Sequence, residues 1–264
     1  MRTVLIFAKS LLYLIIYAGI VMVMNQAIYN WITQPELKTW FNNNPASIFI
    51  IANLIVLALY VPLQRLQRIS FADLGFVPPK SLMVSAGAGL SLGLFIASFS
   101  GISWIKDNYP EISNLVTFII DGGHFLVILF GSILLGSLLE EWLFRGLLLH
   151  LFRERFSTLL SVLLQAVFFG AVFMNITVGL FAALGAVIYG VIRVSTGSLW
   201  SSLITHMIST TSLYVVSLFI KEWSSGTVVA LTIISGLALL AHIFVLLFRS
   251  RRLPQNKQAA GSFK

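Results

Sequence analysis

The sequence predicts an all-α, polytopic membrane protein with eight transmembrane helices and both termini in the cytoplasm. Three observations lead there. Of the 264 residues, 58% are hydrophobic and only 10% are charged, where a typical soluble domain has about 25% charged. Such a chain cannot cover itself with polar surface, so most of its solvent must be lipid. Several apolar runs reach the roughly 20 residues a helix needs to cross a bilayer. The basic residues are also unevenly shared among the connections between those runs.

The first run lies in MRTVLIFAKSLLYLIIYAGIVMVM. It starts basic, as a signal peptide does, but is too long for one and lacks a small-x-small cleavage site after it. It reads as a retained helix over 4–24, with Lys9 snorkelling toward the interface. Seven more spans follow over 46–63, 82–104, 117–144, 157–174, 178–194, 198–219 and 226–248, bounded by charges, prolines or polar clusters. The second is short, and the fourth is long enough to tilt or break. In the third, Ser85, Gly89, Gly93 and Ala97 recur every fourth residue, a spacing suited to close helix packing. The connection RISFADLGFVPPK, 68–80, has an amphipathic look that predicts a place along the interface. Residues 249–264 form a polar, basic tail expected to be flexible. One membrane domain covers 1–264, without a clear internal repeat.

Orientation follows from the lysines and arginines. With the N-terminus inside, Arg2, Arg65, Arg68, Lys80, Arg145, Arg153, Arg155, Arg193, Arg249, Arg251, Arg252, Lys257 and Lys264 fall on the cytoplasmic side. Only Lys38, Lys106 and Lys221 fall outside. A missed or invented span would invert part of that pattern. The formal charge of +8 therefore marks cytoplasmic loops, and lipid rather than nucleic acid is the expected partner. The chain has no cysteine, which excludes disulfides and thiolate metal sites.

Charges inside a span need a reason. The stretch LLEEWLFRGLLLHLF, 138–152, carries Glu140, Glu141 and Arg145 in an otherwise apolar run. Glu141 and Arg145 are four apart and can pair on one helix face. Glu140 lies about 100° around from Glu141, so Arg145 cannot easily serve both. An ionisable group left over in a membrane helix is a functional candidate. His206 joins it by depth: Glu140 precedes Arg153, and His206 follows Arg193, by the same interval, about 20 Å of helix at 1.5 Å per residue.

Two chemistries fit a glutamate and a histidine in a dry cavity. The glutamate can take a proton from water while the imidazole donates to the oxyanion formed on an amide. Alternatively Glu140 and His206 could ligate zinc and generate a bound hydroxide, although the spacing is not HExxH. Asp121 and His124, in IIDGGHF, read as a loop-to-helix junction near the outer interface with the Gly pair as a turn. His150 reads as an interfacial residue and His242 as a packing residue.

At these residues the sequence resembles the CPBP family, also called Abi or CAAX-protease-like, which includes type II CAAX prenyl endopeptidases and bacterial relatives linked to bacteriocin processing or immunity. Its EExxxR motif is here Glu140-Glu141-Trp142-Leu143-Phe144-Arg145, followed by Gly146. STGSLWSSLITH, 195–206, is similar to the family segment before its last histidine, and FADLGFVPP, 71–79, to the linker before its core helices. The resemblance covers about 70–220. It implies an eight-helix intramembrane endopeptidase with a cavity open toward the cytoplasm, acting on a membrane-associated peptide or protein without an obligatory cofactor. It further implies that Glu140 activates water, Glu141 and Arg145 support and orient it, and His206 serves the oxyanion side. A bacterial cell membrane is the expected location.

Two positions depart from the family pattern. The second motif, FxxxH, reads FGAVF and ends in Phe173; the third, HxxxN, runs His206-Met207-Ile208-Ser209-Thr210. Phenylalanine can neither ligate nor hydrogen-bond conventionally, and a metal site would lose a ligand outright. Gln165, Phe169 and Phe173 share a face by their spacing, so Phe169, Phe173, Thr210 and Gln165 are candidate cavity residues. Gln165 and Asn175 also have an ordinary reading as interhelical hydrogen-bonding groups. The alternative to an enzyme is a non-catalytic relative that keeps the fold to bind a peptide or partner, as in self-immunity. A transporter would call for repeat symmetry or paired broken helices.

Overall fold

The structure, a computed structural model, describes residues 2–79 and 81–252. Lys80 and most of the expected tail, 253–264, lie outside the described residues. The described residues are mainly helical, without a strand. In chain order the helices are α1 (Arg2–Trp31), α2 (Pro35–Asn43), α3 (Ala46–Leu66), α4 (Leu82–Gly101), α5 (Ser103–Asn108) and α6 (Pro110–Ile120). Then follow α7 (Phe125–Arg153), α8 (Thr158–Ala171), α9 (Ile176–Thr196), α10 (Leu199–Phe219) and α11 (Ser225–Arg252).

Seven of these are long and apolar enough to cross a membrane: α1, α3, α4, α7, α9, α10 and α11. Their outer faces suit lipid. On α11, Ile233, Leu237, Leu240 and Phe244 recur at helical spacing and are all exposed, as a lipid-facing stripe requires. The chain is thus an integral, multi-pass membrane protein. The expected span 157–174 is the shorter helix Thr158–Ala171, of 14 residues, about 21 Å at 1.5 Å per residue.

The expected fourth span, 117–144, is displaced. The chain breaks at residues 121–124, where Gly123 has φ 120°, a conformation open to glycine but not to most residues. His124 caps the new helix, its Nδ1 accepting from Leu126 N at 3.4 Å. α6 becomes a short helix before the break, and α7 runs on to Arg153. Within α7, Leu129–Gly136 and Glu141–Leu148 are wound as π-helix, a feature often found at functional sites.

The bundle has two ends. At one, Ala46 N donates to Gly122 O and His124 N to Asn44 Oδ1, both at 2.9 Å, tying the start of α3 to the 121–124 turn. At the other, residues 67–79 meet the α9–α10 junction: Leu199 N donates to Gly75 O at 2.6 Å, and Ser198 Oγ to Val77 O at 2.7 Å. This second end carries Arg65, Arg68, Arg153, Arg155 and Arg193 and is called the basic end below.

The expected amphipathic connection, 68–80, is irregular over its described residues, 68–79. It forms turns without a helix, and Leu74 is fully buried. Its polar backbone found partners inside the protein: Arg193 Nη2 donates to Leu74 O at 3.0 Å.

The small-residue stripe of α4 decides how α10 packs. A Cβ at Gly89 would strike Thr205 O, and one at Gly93 would strike Ser209 O. Thr205 Oγ1 donates to Ser85 O at 2.9 Å across the same contact. Backbones approach this closely only where side chains are absent. The stripe thereby fixes the level of His206, which lies between Thr205 and Ser209.

Candidate functional site

Glu140, Glu141 and Arg145 come from the middle of α7, and His206 from the middle of α10. Glu141 and Arg145 have no exposed side-chain surface, and Arg145 Nη1 lies 3.1 Å from Glu141 Oε1. A buried charge needs a counter-charge and further polar partners. The guanidinium finds some of them, while its Nε stands without a hydrogen-bond partner among the described residues. Arg145 Nη2 donates to Ala186 O at 3.4 Å, and the group sits 4.9 Å from the Phe169 ring centre and 5.0 Å from that of Tyr189, within cation–π range.

The same carboxylate oxygen meets the imidazole. His206 Nδ1 is 3.0 Å from Glu141 Oε1, and its Nε2 is 3.7 Å from Glu140 Oε2. Glu140 retains 27% of its side-chain exposure and His206 12%, so these two groups face open space. A Glu141 carboxylate can only accept, so Nδ1 must carry a proton and Nε2 is left to face Glu140. Tyr189 lies flat against the imidazole, with ring centres 4.5 Å apart and planes 20° apart. Its hydroxyl pairs with Ser209 Oγ at 2.6 Å. The ring is thus held on its face by Tyr189 and at one nitrogen by Glu141.

The open space is a cavity of about 660 Å³ lined by Glu140, His206, Tyr17, Tyr189 and a predominantly apolar wall. Phe169, Phe173 and Thr210 also line it, and Phe169 and Phe173 pack edge-to-face at 5.7 Å. Gln165, expected here, is elsewhere. It is fully buried, and its Nε2 donates to Ala186 O and Val162 O at 2.9 Å, which leaves it bridging α8 and α9. Asn175 caps α9, accepting from Val178 N at 3.0 Å. His242 Nδ1 contacts Ala238 O at 2.7 Å, away from the cavity.

A metal finds too few ligands. Glu141 Oε1 is engaged by Arg145 and His206 Nδ1, and beside it stand Glu141 Oε2, Glu140 and His206 Nε2, which come from two carboxylates and one imidazole. Among the described residues no group of three His, Asp, Glu or Cys could hold an ion, whereas catalytic zinc takes three protein ligands.

Tyr189 is the residue that sequence reasoning missed. Nothing marks an aromatic in an apolar helix, and its position one turn before Arg193, about 6 Å by helical rise, does not match the roughly 20 Å assigned to His206.

The family model described as "Type II CAAX prenyl endopeptidase Rce1-like" matches residues 122–212. This window holds α7 through the His206 region of α10, and with them Glu140, Glu141, Arg145, Tyr189 and His206. The matched segment is similar to the CAAX-protease, or CPBP, family. Searches of curated proteins and of solved structures returned no match. The CAAX-protease match stops short of α1, α3 and α11, which supply other parts of the bundle.

Proposed function

We propose that the protein is an eight-span intramembrane endopeptidase, with both termini in the cytoplasm, that hydrolyses a peptide bond in a membrane-associated polypeptide. The similarity of 122–212 to the CAAX-protease family supports the reaction class. The observation that carries the reading is the pair Glu140–His206, with Oε2 and Nε2 3.7 Å apart at the inner corner of a large apolar cavity. For the eighth span, α8 is the candidate. It connects the end of α7 to the start of α9, and a close contact between Gly170 and Gly179 marks the hairpin. Without it, Arg153 and Arg155 would fall on the opposite side from Arg193.

The chemistry follows from the geometry. A water beside Glu140 gives its proton to the carboxylate while its oxygen bonds to the scissile carbonyl carbon. The π pair moves onto the carbonyl oxygen. An imidazolium at His206 offers Nε2–H to that oxyanion, since Nδ1–H already points to Glu141. With His206 charged, Arg145 and His206 balance Glu140 and Glu141, so the site carries no net charge. Collapse of the intermediate breaks the C–N bond, and Glu140 returns its proton to the departing amine.

One observation favours a second reading, a non-catalytic peptide-binding relative. Phe173 and Thr210, which replace the family's histidine and asparagine, both line the cavity. The test is to incubate the protein in liposomes with membrane-associated peptides and identify products by mass spectrometry. Products formed by the natural protein but not by Glu140→Gln support the endopeptidase. Peptide retained without products by both supports the binding protein.

A further inference from the structure

We infer that the cavity is entered from the non-cytoplasmic side of the membrane, and that it takes short, extended, apolar polypeptide segments presented there. The inference rests on the endopeptidase reading above and concerns where that site meets its substrate. It departs from the cytoplasmic opening that the resemblance implies.

The lining residues fix the direction. They include the C-terminal half of α1 from Tyr17 to Gln26, residues 115–119 of α6, 172–174 after α8, and the first half of α9. All of these lie between the level of Glu140 and the end opposite the basic end. Met22, Asn25, Gln26, Phe118, Met174 and Leu184 among them are exposed, so the mouth lies on that side of Glu140 and extends down the flanks of α1 and α9. No lining residue falls within 66–81, 145–168 or 190–205.

The basic end is closed. Below Glu140, α7 presents Leu147, Leu148, Leu151 and Phe152, all at most 1% exposed. The 67–79 segment seals the remainder. Phe76 packs edge-on against Trp142 at 5.3 Å and Trp200 at 5.7 Å, and Arg193 is tied to Leu74 O. Gly75, at φ 88°, lets the chain turn against the Arg193 guanidinium, where any Cβ would collide. A separate 240 Å³ pocket at this end reaches Arg145, His150 and Arg193 but neither Glu140 nor His206.

Charge then assigns the sides. Arg65, Arg68, Arg153, Arg155, Arg193 and Arg249 gather at the closed end, while Lys38 and Lys106 lie at the open one. Basic residues flanking spans stay in the cytoplasm, so the mouth faces away from it.

The lining also limits what can enter. It contains no Lys, Arg or Asp, and Glu140 is its only carboxylate. Phe49, Phe95, Phe118, Phe173 and Phe181 supply apolar wall. From Tyr17 to Gln26 the wall of α1 runs about 14 Å at 1.5 Å per residue. An extended chain at about 3.3 Å per residue places roughly four residues between the mouth and Glu140.

The absence of cysteine makes a clean test possible. Single cysteines are introduced by Asn25→Cys at the mouth, Thr210→Cys and Ser132→Cys inside the cavity, and Ser70→Cys at the closed end. Each is made in the full chain with and without Glu140→Gln and exposed to a small, membrane-impermeant thiol reagent. In right-side-out vesicles, the probes at 25, 210 and 132 are expected to react, and the probe at 70 only after permeabilisation. Cavity probes that react only from the side that labels position 70, or from neither side, overturn the inference. Because labelling is read in the Glu140→Gln background as well, it does not depend on cleavage. Apolar peptides added to right-side-out vesicles should be cleaved, and those added to inside-out vesicles should not. Cleavage confined to inside-out vesicles overturns the inference but leaves the endopeptidase standing. The expected labelling without cleavage of any peptide upholds the route and removes the endopeptidase.

Discussion

His206 is held by Glu141 rather than by Glu140: Nδ1 lies 3.0 Å from Glu141 Oε1, while Nε2 stands 3.7 Å from Glu140 Oε2. The two adjacent carboxylates therefore have different work. Glu141, fully buried against Arg145, fixes the imidazole. Glu140, partly exposed to the cavity, remains free to meet a water. The resemblance implies that Glu141 and Arg145 support Glu140; in the structure Glu141 contacts both Arg145 and His206.

That division predicts different phenotypes. Glu141→Ala leaves Arg145 buried without its counter-charge and should destabilise the protein by about 3–5 kcal/mol, the cost of breaking a buried pair. Glu140→Gln leaves that pair intact and should change thermal stability little. Thermal unfolding of both variants in detergent checks the contrast.

Gly93→Ala should disturb the site from a distance. The added methyl collides with Ser209 O and Ser212 Oγ, forcing α4 and α10 apart and shifting His206 relative to α7. Overpacking of this kind costs about 1–3 kcal/mol, readable as a lowered Tm. Gly19→Ala is the control, since nothing lies within 4 Å of a Cβ there.

Phe173→His restores a hydrogen-bonding side chain to the cavity wall. A single lost donor in a hydrolytic site typically costs about 10²–10³ in rate, so the variant should cleave faster than the natural protein by up to that factor. Initial rates on one peptide, with each variant in liposomes, measure it.

The segment that seals the basic end has its own pH dependence. The Asp73 carboxyl is held below the usual carboxylate range, first by the Ser70 hydroxyl at 2.6 Å and then by the Ser70 N–H at 2.8 Å. A depressed folded-state value means that this contribution is complete above the unfolded value of about 3.9 and fades as pH falls through the lower folded one. Acidification over that window should loosen residues 70–76, seen as a change in Trp142 and Trp200 fluorescence. Asp73→Asn should show the loosened signal at every pH.

Much of this was legible in the chain, for identifiable reasons. Glu140, Glu141 and Arg145 stand out because charges in an apolar run are costly, and His206 could be matched to them by counting helical rise. The α4 stripe announced a close helix contact. Other features carried no such signal. The break at Gly122–Gly123 resets the start of α7, because one apolar run hides two helices. Residues 68–79 look amphipathic in one dimension, yet Leu74 and Phe76 insert into the bundle. Gln165 shares a spacing with Phe169 and Phe173, but α8 turns it to the carbonyl of Ala186 on α9. Tyr189 carries no mark in the sequence, because an aromatic side chain in an apolar helix is ordinary.

The most direct test of the central claim compares binding with turnover for one apolar peptide in liposomes, using the natural protein, Glu140→Gln and His206→Gln. The account predicts that both variants bind the peptide as the natural protein does, while cleavage falls by about 10²–10³ or more. Cleavage that continues undiminished in Glu140→Gln would contradict it.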